Sequence, residues 1–547
     1  MSDQPGSREI EERAALAARQ WAAWRATRRT LIKAGAFGGG ARALGGFAAT
    51  AGPLARTAVA QDQPKPGGTV SMSLADDDVK SFDPIAVTDN MSIWTQLLIF
   101  DQLIRVGKDG KTLEPGLAEK WEASADGKTY TFHLRDATFH DGSPVTGADV
   151  VYSLNRAVTE KGSQWAFIFS AVDKLEAPDA KTVIARLKTV WAPFEADLAL
   201  FAASIIPQKL HEAQKDQLWQ KPVGSGPFMF DSWAKGDRVV LKKNPKYWVE
   251  GQPYLDELTF LVLTDGNTRM LQFQGGDLDI VTDAPFSQLE ALKANPEVVV
   301  LQDAVARIDY IGINVTRKPF DDKKLRQAMN YAINKDVIIK NVLFGAGEPA
   351  NTYLPKMYGH DDAAPGYPFD LEKAKALVAE SAGKDGFEAE LLTNAGDPVA
   401  AQVAQLVAAD LAKIGGKITI SQLDPAAQTD RVHKLDYDLG SAYFTTDIID
   451  PDELTTFAVQ SDGGTQAVWT GYKNEQVDTQ IRQAQVTTDK AKRLQMYTDI
   501  QKMVADDAHI LYLFYPTGRD VTSSHIKDFH VLPTGNYRLW ETWRDDA

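Results

Sequence analysis

The sequence predicts an α/β protein of two or three domains built on mixed sheets. Its 547 residues are more than one compact hydrophobic core holds. Its apolar share of 44% and charged share of 24% are those of an ordinary globular chain. Its second half alternates helical with strand patterns, as layered α/β domains do. No short-period repeat interrupts this pattern.

The elements follow in order. PKPGG (64–68) is a linker, and TVSMSL (69–74) alternates as a first strand. WEASADGKTYTFHLR (121–135) reads as a hairpin turning at Asp126-Gly127, with Tyr130, Phe132 and Leu134 on one face. TGADVVYSLNRAV (146–158) is a helix with Thr146 as candidate N-cap and Val150, Val151, Leu154 and Val158 on one side. RVVLKKNP (238–245) is a strand stopped by proline. A helical pattern over 320–340 aligns Leu325, Met329 and Ile333. A further helix over 371–383 follows Asp370. Another, over 397–416, has Asp397 as cap, Pro398 at its first position and Gly415 at its end, before the strand KITISQL (417–423).

Charge and the N-terminus speak to location. Residues 1–60 carry nine Lys/Arg against four acids, so the remainder nets −20 of the total −15. An acidic body lacks the clustered cations that nucleic-acid phosphates require. TRRTLIKAGAF (27–37) places an arginine pair before a Gly/Ala-rich apolar stretch, and Ala58-Val59-Ala60 is a small-residue cleavage site. The pattern resembles a twin-arginine export signal over residues 1–60, cleaved after Ala60, which implies a periplasmic protein. Beyond it no apolar run reaches the length of about 18 residues that a spanning helix needs. The chain has no cysteine, which excludes disulfides and cysteine metal sites.

Five segments in order resemble the extracytoplasmic solute-binding proteins of the peptide/nickel/opine family, family 5 of the proteins that feed ABC importers. They are SFDP (81–84), EPGLAEKWEASADGKTYTFHLRDATFHDGSPVTGADVVYSL (114–154), GSGPFMFDSWAKGDRVVLKKNPKYW (224–248), YIGINVTRKPFDDKKLRQAMNYAINKD (310–336) and YDLGSAYFTTDIIDPDE (437–453). The resemblance implies a two-lobed periplasmic-binding-protein fold of type II, the large three-subdomain variant, with a hinge. Lobe I would comprise 61–310 plus 511–547, with an inserted subdomain at about 96–221. Lobe II would be 311–510. DYIGIN (309–314) and ILYLFYP (510–516) would be the hinge strands, and the ligand would sit in the cleft between the lobes.

The stretch AYFTTDIIDPDELTTF (442–457) holds four acids, Asp447, Asp450, Asp452 and Glu453. Its Asp447-Ile448-Ile449-Asp450-Pro451 matches the D-x-x-(D/E)-P pattern in which peptide-binding members pair the aspartate with a ligand's α-amino group. The resemblance therefore gives that role to Asp447; the alternative is a turn cap. Asp452 and Glu453 would start the next helix. Asp452 stands where nickel-type members carry histidine, which counts against nickel, and the eight histidines show no paired ligand spacing. His140 reads as structural. Lys356 occupies the place where dipeptide binders hold the ligand carboxylate with arginine, and a lysine supplies charge without the bidentate fork. Tyr443, Phe444, Trp94 and Trp469 are candidate aromatic walls, with core packing as the alternative for each. GSGPF (224–228) lacks the residues of a P-loop or a nucleophile elbow and reads as a structural turn.

The implied function is capture of a di- or oligopeptide or a peptide-like, amine-bearing solute by a monomer that needs no cofactor and delivers it to an ABC permease. An opine or another polar metabolite is the alternative ligand class. A secreted hydrolase using paired carboxylates is the alternative of another kind, but no nucleophile–base–orienter set is visible.

Overall fold

The computed structural model describes residues 63–75, 77–462 and 465–547. Residues 1–60, where the sequence resembles an export signal, lie outside the described residues. Three sheets organise the chain. The first is seven-stranded, in the order Val298–Leu301, Asp520–Ser523, Ile280–Val281, Thr69–Leu74, Glu257–Val262, Arg238–Lys243 and Phe228–Ala234. The C-terminal segment thus returns to pair between Ile280–Val281 and Val298–Leu301, more than 200 residues earlier in the chain. The second sheet is six-stranded, in the order Gly347–Pro349, Ile510–Pro516, Arg307–Ile313, Leu439–Thr445, Phe387–Asn394 and Gly416–Leu423. The third is an antiparallel four-stranded sheet, Ala118–Ala123, Thr129–Leu134, Thr182–Leu187 and Val172–Glu176, carried by the insertion in lobe I.

The two strands expected to form the hinge are neighbours in the six-stranded sheet. Arg307–Ile313 and Ile510–Pro516 pair antiparallel, Tyr310 opposite Tyr512, with a register shift between Asp309 and Tyr310. All seven residues of Ile510–Pro516 are buried, which is why this run is apolar throughout. Both strands belong wholly to the second lobe's sheet, so the chain crosses between lobes at 302–306 and 517–519. Behind the crossing, Phe273, Phe286 and Leu289 of lobe I share one apolar cluster with Ile311, Leu325 and Phe514 of lobe II.

Local signals act as read in most places. Tyr130, Phe132 and Leu134 are buried on one face of the hairpin strand Thr129–Leu134. Thr146 caps Gly147–Thr159 in a reciprocal box with Asp149. The Asp397 carboxylate accepts from the amides of Val399 and Ala400, both at 2.9 Å, starting Pro398–Ala412. The 320–340 segment departs from the expectation of one helix. It forms Lys323–Ala332 and Lys335–Val342, because Ile333 turns extended and the Asn334 side chain caps a new start by accepting from Val337 N. The 371–383 pattern ends early, as Leu371–Ala379.

The GSGPF turn is a packing device. A Cβ on Gly224 would stand 2.0 Å from the Ile99 carbonyl oxygen, and one on Gly226 would stand 2.6 Å from that of Leu98. His140 stitches the turn: its Nδ1 accepts from Gly224 N at 3.2 Å and its Nε2 lies 3.0 Å from the Gly226 carbonyl. Burial pushes this imidazole down to about 4, so it is neutral.

Candidate functional site

The fold divides the four acids of 442–457. Asp450 caps the helix Pro451–Val459 and accepts from Asp452 N at 2.8 Å. Its two oxygens each meet a guanidinium nitrogen of Arg493 at 2.6 Å. Asp452 is buried and accepts from the Tyr497 hydroxyl at 2.8 Å. Burial, with the charge of Asp450 added, raises its carboxyl to about 7. Glu453 is buried as well. One of its oxygens accepts from Asp447 N at 2.9 Å, from Ile448 N at 3.0 Å and from the Thr446 hydroxyl, so the loop 446–448 is folded around it.

That loop presents Asp447. Its carboxylate lines a cavity between the lobes with Asp101, Arg105, Tyr247, Tyr537 and Trp540, all from lobe I. Among the described residues the Asp447 carboxylate has no hydrogen-bond or ion-pair partner. Burial, and then repulsion from Glu453, raises its pKa well above the usual carboxylate value. The enclosed volume is about 40 Å³, so a solute enters only as the lobes part. Contacts across the cleft hold the lobes together: the Tyr358 hydroxyl donates to Gly110 O at 2.7 Å, Ala192 N donates to Gln485 O at 2.7 Å, and Phe167 stacks on Phe457 at 6.2 Å. Asp197 of lobe I, held by the Trp191 indole N–H at 2.8 Å, is pushed well up by burial and then by Asp452, Asp450 and Glu453 across the cleft.

The other sequence candidates disperse. Phe444 is in the core of lobe II, its ring 4.3 Å from that of Tyr310. Tyr443, its neighbour on the strand, points the opposite way, is exposed, and carries the Arg307 guanidinium 4.0 Å above its ring. Trp94 is buried one layer behind the cavity and meets the cavity-lining Tyr537 edge-on at 4.7 Å. Trp469 stacks on His433 at 4.3 Å and lies edge-on to Phe457. The Lys356 ammonium pairs with Glu348 at the surface and is not among the cavity-lining groups.

Residues 112–466 match the family of bacterial extracellular solute-binding proteins, family 5. The chain is 32% identical to the glutathione-binding protein GsiB of Pectobacterium atrosepticum, over 83% of this chain and 90% of that one.

The chain belongs to this family.

Among solved structures, the fold is similar to an ABC transporter-associated periplasmic binding protein, DppA of Helicobacter pylori, in complex with the peptide STSA. The TM-score is 0.79 at 27% identity, over 88% of this chain and 99% of that one. It is also similar to AgaA of A. tumefaciens R10 in complex with agropinic acid, with a TM-score of 0.78 at 29% identity over 87% and 99% of the two chains. The family-5 protein thus has the two-lobed type II periplasmic-binding fold, of the kind that serves ABC importers. Its cavity between the lobes is where such a fold holds a solute. Sequence reasoning missed the lobe I side of it. Asp101, Arg105, Tyr247, Tyr537 and Trp540 come from three distant stretches, so no local motif joins them. Elsewhere, His525, Asp545 and Asp546 could share a metal ion, but Lys527 at 3.1 Å from Asp545 and Arg544 at 3.0 Å from Asp546 already supply cations there.

Proposed function

We propose that this family-5 protein captures a peptide-like, amine-bearing solute in the periplasm and delivers it to the permease of an ABC importer. The observation that carries this reading is the unpaired Asp447 carboxylate facing the interlobe cavity. A half-buried carboxylate without a partner is costly, and a ligand ammonium group would supply charge-assisted hydrogen bonds as the lobes close around it. Closure on the ligand would then select the form that the transporter recognises. The twin-arginine pattern in 1–60 supports export, with cleavage after Ala60, and the protein acts as a monomer without catalysis. The similarity to DppA and GsiB, whose names state peptide and glutathione ligands, supports the peptide-like class. The similarity to AgaA supports an opine as the second reading.

The test is a thermal-shift screen of the purified protein against a peptide and metabolite library, followed by recovery of the bound compound. Ligands that bind the native state raise its melting temperature. Intact ligand at one per protein is the expected result, and a chemically converted product would overturn it. Asp447→Asn weakens amine-bearing hits by about ten-fold or more; undiminished affinity removes Asp447 from the site.

A further inference from the structure

A solute with an ammonium group at Asp447 and a carboxylate elsewhere needs a cation on the far side of the cavity. Lys356 is occupied by Glu348 at the surface. Arg105 lines the cavity itself, on lobe I, and is mostly buried. We propose that Arg105 receives the carboxylate of a zwitterionic solute whose amine is held by Asp447, so that the cavity selects solutes carrying both charges. The proposal rests on the Asp447 reading above for the amine end.

The bonding of Arg105 supports this role. A guanidinium has five N–H donors. Here Nη1 donates to the Tyr247 hydroxyl at 3.0 Å, a neutral acceptor. Nη2 forms an ion pair with a Glu114 oxygen at 3.6 Å, too long for a hydrogen bond. That same oxygen accepts from Arg538 at 2.9 Å, so its charge is already shared. Nε is buried with no hydrogen-bond partner. An unpaired buried donor is unfavourable until an acceptor arrives. The guanidinium carbon lies 4.7 Å from the Trp248 ring and 5.5 Å from the Trp540 ring, and these contacts hold the group in place while leaving N–H donors unused. A carboxylate is the acceptor whose two oxygens match two of those donors. Asp101, in the same cavity, feels the Arg105 charge but forms no hydrogen bond with it. It is held instead by the Trp248 indole at 3.0 Å, Ser225 at 3.3 Å and Tyr247 at 3.4 Å.

The experiment uses an equimolar set of di- and tripeptides of alanine, leucine, serine and phenylalanine, with the same set C-terminally amidated and the same set N-acetylated. Retention by the purified protein is read by native mass spectrometry. The wild type is expected to prefer free acids over amides by about ten-fold or more. Arg105→Gln abolishes that preference while still rejecting N-acetyl peptides. Arg105→Lys keeps part of it, and Lys356→Gln keeps all of it. Amides retained as well as acids by the wild type, or a preference that survives in Arg105→Gln, overturns the Arg105 assignment. If Arg105→Gln does not fold, the wild-type acid-to-amide ratio and Arg105→Lys still decide. N-acetyl peptides retained as well as free amines overturn the Asp447 reading alone. Retention of no peptide from any set overturns both.

Discussion

Arg493 grips Asp450 with two nitrogens at 2.6 Å each, across 43 residues of sequence, and both side chains are almost withdrawn from water. This pairing takes Asp450 out of the ligand site and leaves Asp447 as the acid that faces the cavity unpaired. Removing one partner of such a pair strands a buried charge. Arg493→Met is expected to lower stability by about 3 kcal/mol in urea unfolding. Asp450→Asn with Arg493→Met should cost less than the two single changes together.

Asp447→Asn should separate stability from function. The carboxylate is half-buried, unpartnered and repelled by Glu453, so its loss should stabilise the unliganded protein by about 1 kcal/mol. The same variant should lose affinity for amines. Melting temperature without ligand and calorimetric affinity with a hit from the screen check the two halves independently.

Asp452 makes stability depend on pH. Its pKa is raised in the fold from 3.8 to about 7, so the native state binds the proton more tightly than the unfolded chain does. Its contribution is therefore fully present below about pH 4 and is lost as pH rises through about 7. Asp452→Asn keeps an acceptor for Tyr497 and removes the titration. It should flatten the stability profile in that window by up to about 1.4 kcal/mol per pH unit, read from urea midpoints at pH 5 and 8.

His509 works in the opposite direction. It is buried, its two ring nitrogens lack hydrogen-bond partners, and it stacks on Tyr472 at 4.4 Å. Burial, and then the nearby Arg326, lowers its pKa from 6.5 to about 3. The stability tied to its neutral form is present above pH 6.5 and is lost as pH falls toward 3. His509→Phe keeps the stacking. It should add about 1 kcal/mol at neutral pH and delay acid unfolding, as circular dichroism across pH would show.

Gly224→Ala tests the turn beneath the cavity. With a Cβ 2.0 Å from the Ile99 carbonyl oxygen, the backbone must shift, at about 3 kcal/mol, measured by thermal unfolding. Ile99 ends the helix that also carries the cavity-lining Leu97, so ligand affinity should fall as well.

The local elements were legible because their causes are local. The side chains of Thr146 and Asp397 answer amide groups within a turn of themselves. The break at Asn334 was also written in the chain, as a cap residue inside an apolar pattern, but periodicity alone reads past it. The parity of Tyr443 and Phe444 was legible too: neighbours on a strand face opposite ways, so one wall cannot use both.

The sequence by itself determined the family, the helix caps and the place of Asp447 in its motif, since each rests on residues close together along the chain. Only the tertiary structure decided which acid is free. Arg493, Tyr497 and Gln485 are distant in sequence from the acids they answer. It likewise gave Lys356 to Glu348 and brought Arg105 to the cavity opposite Asp447. A charge acts through distance and burial, and both are set by how separate segments of the chain pack together.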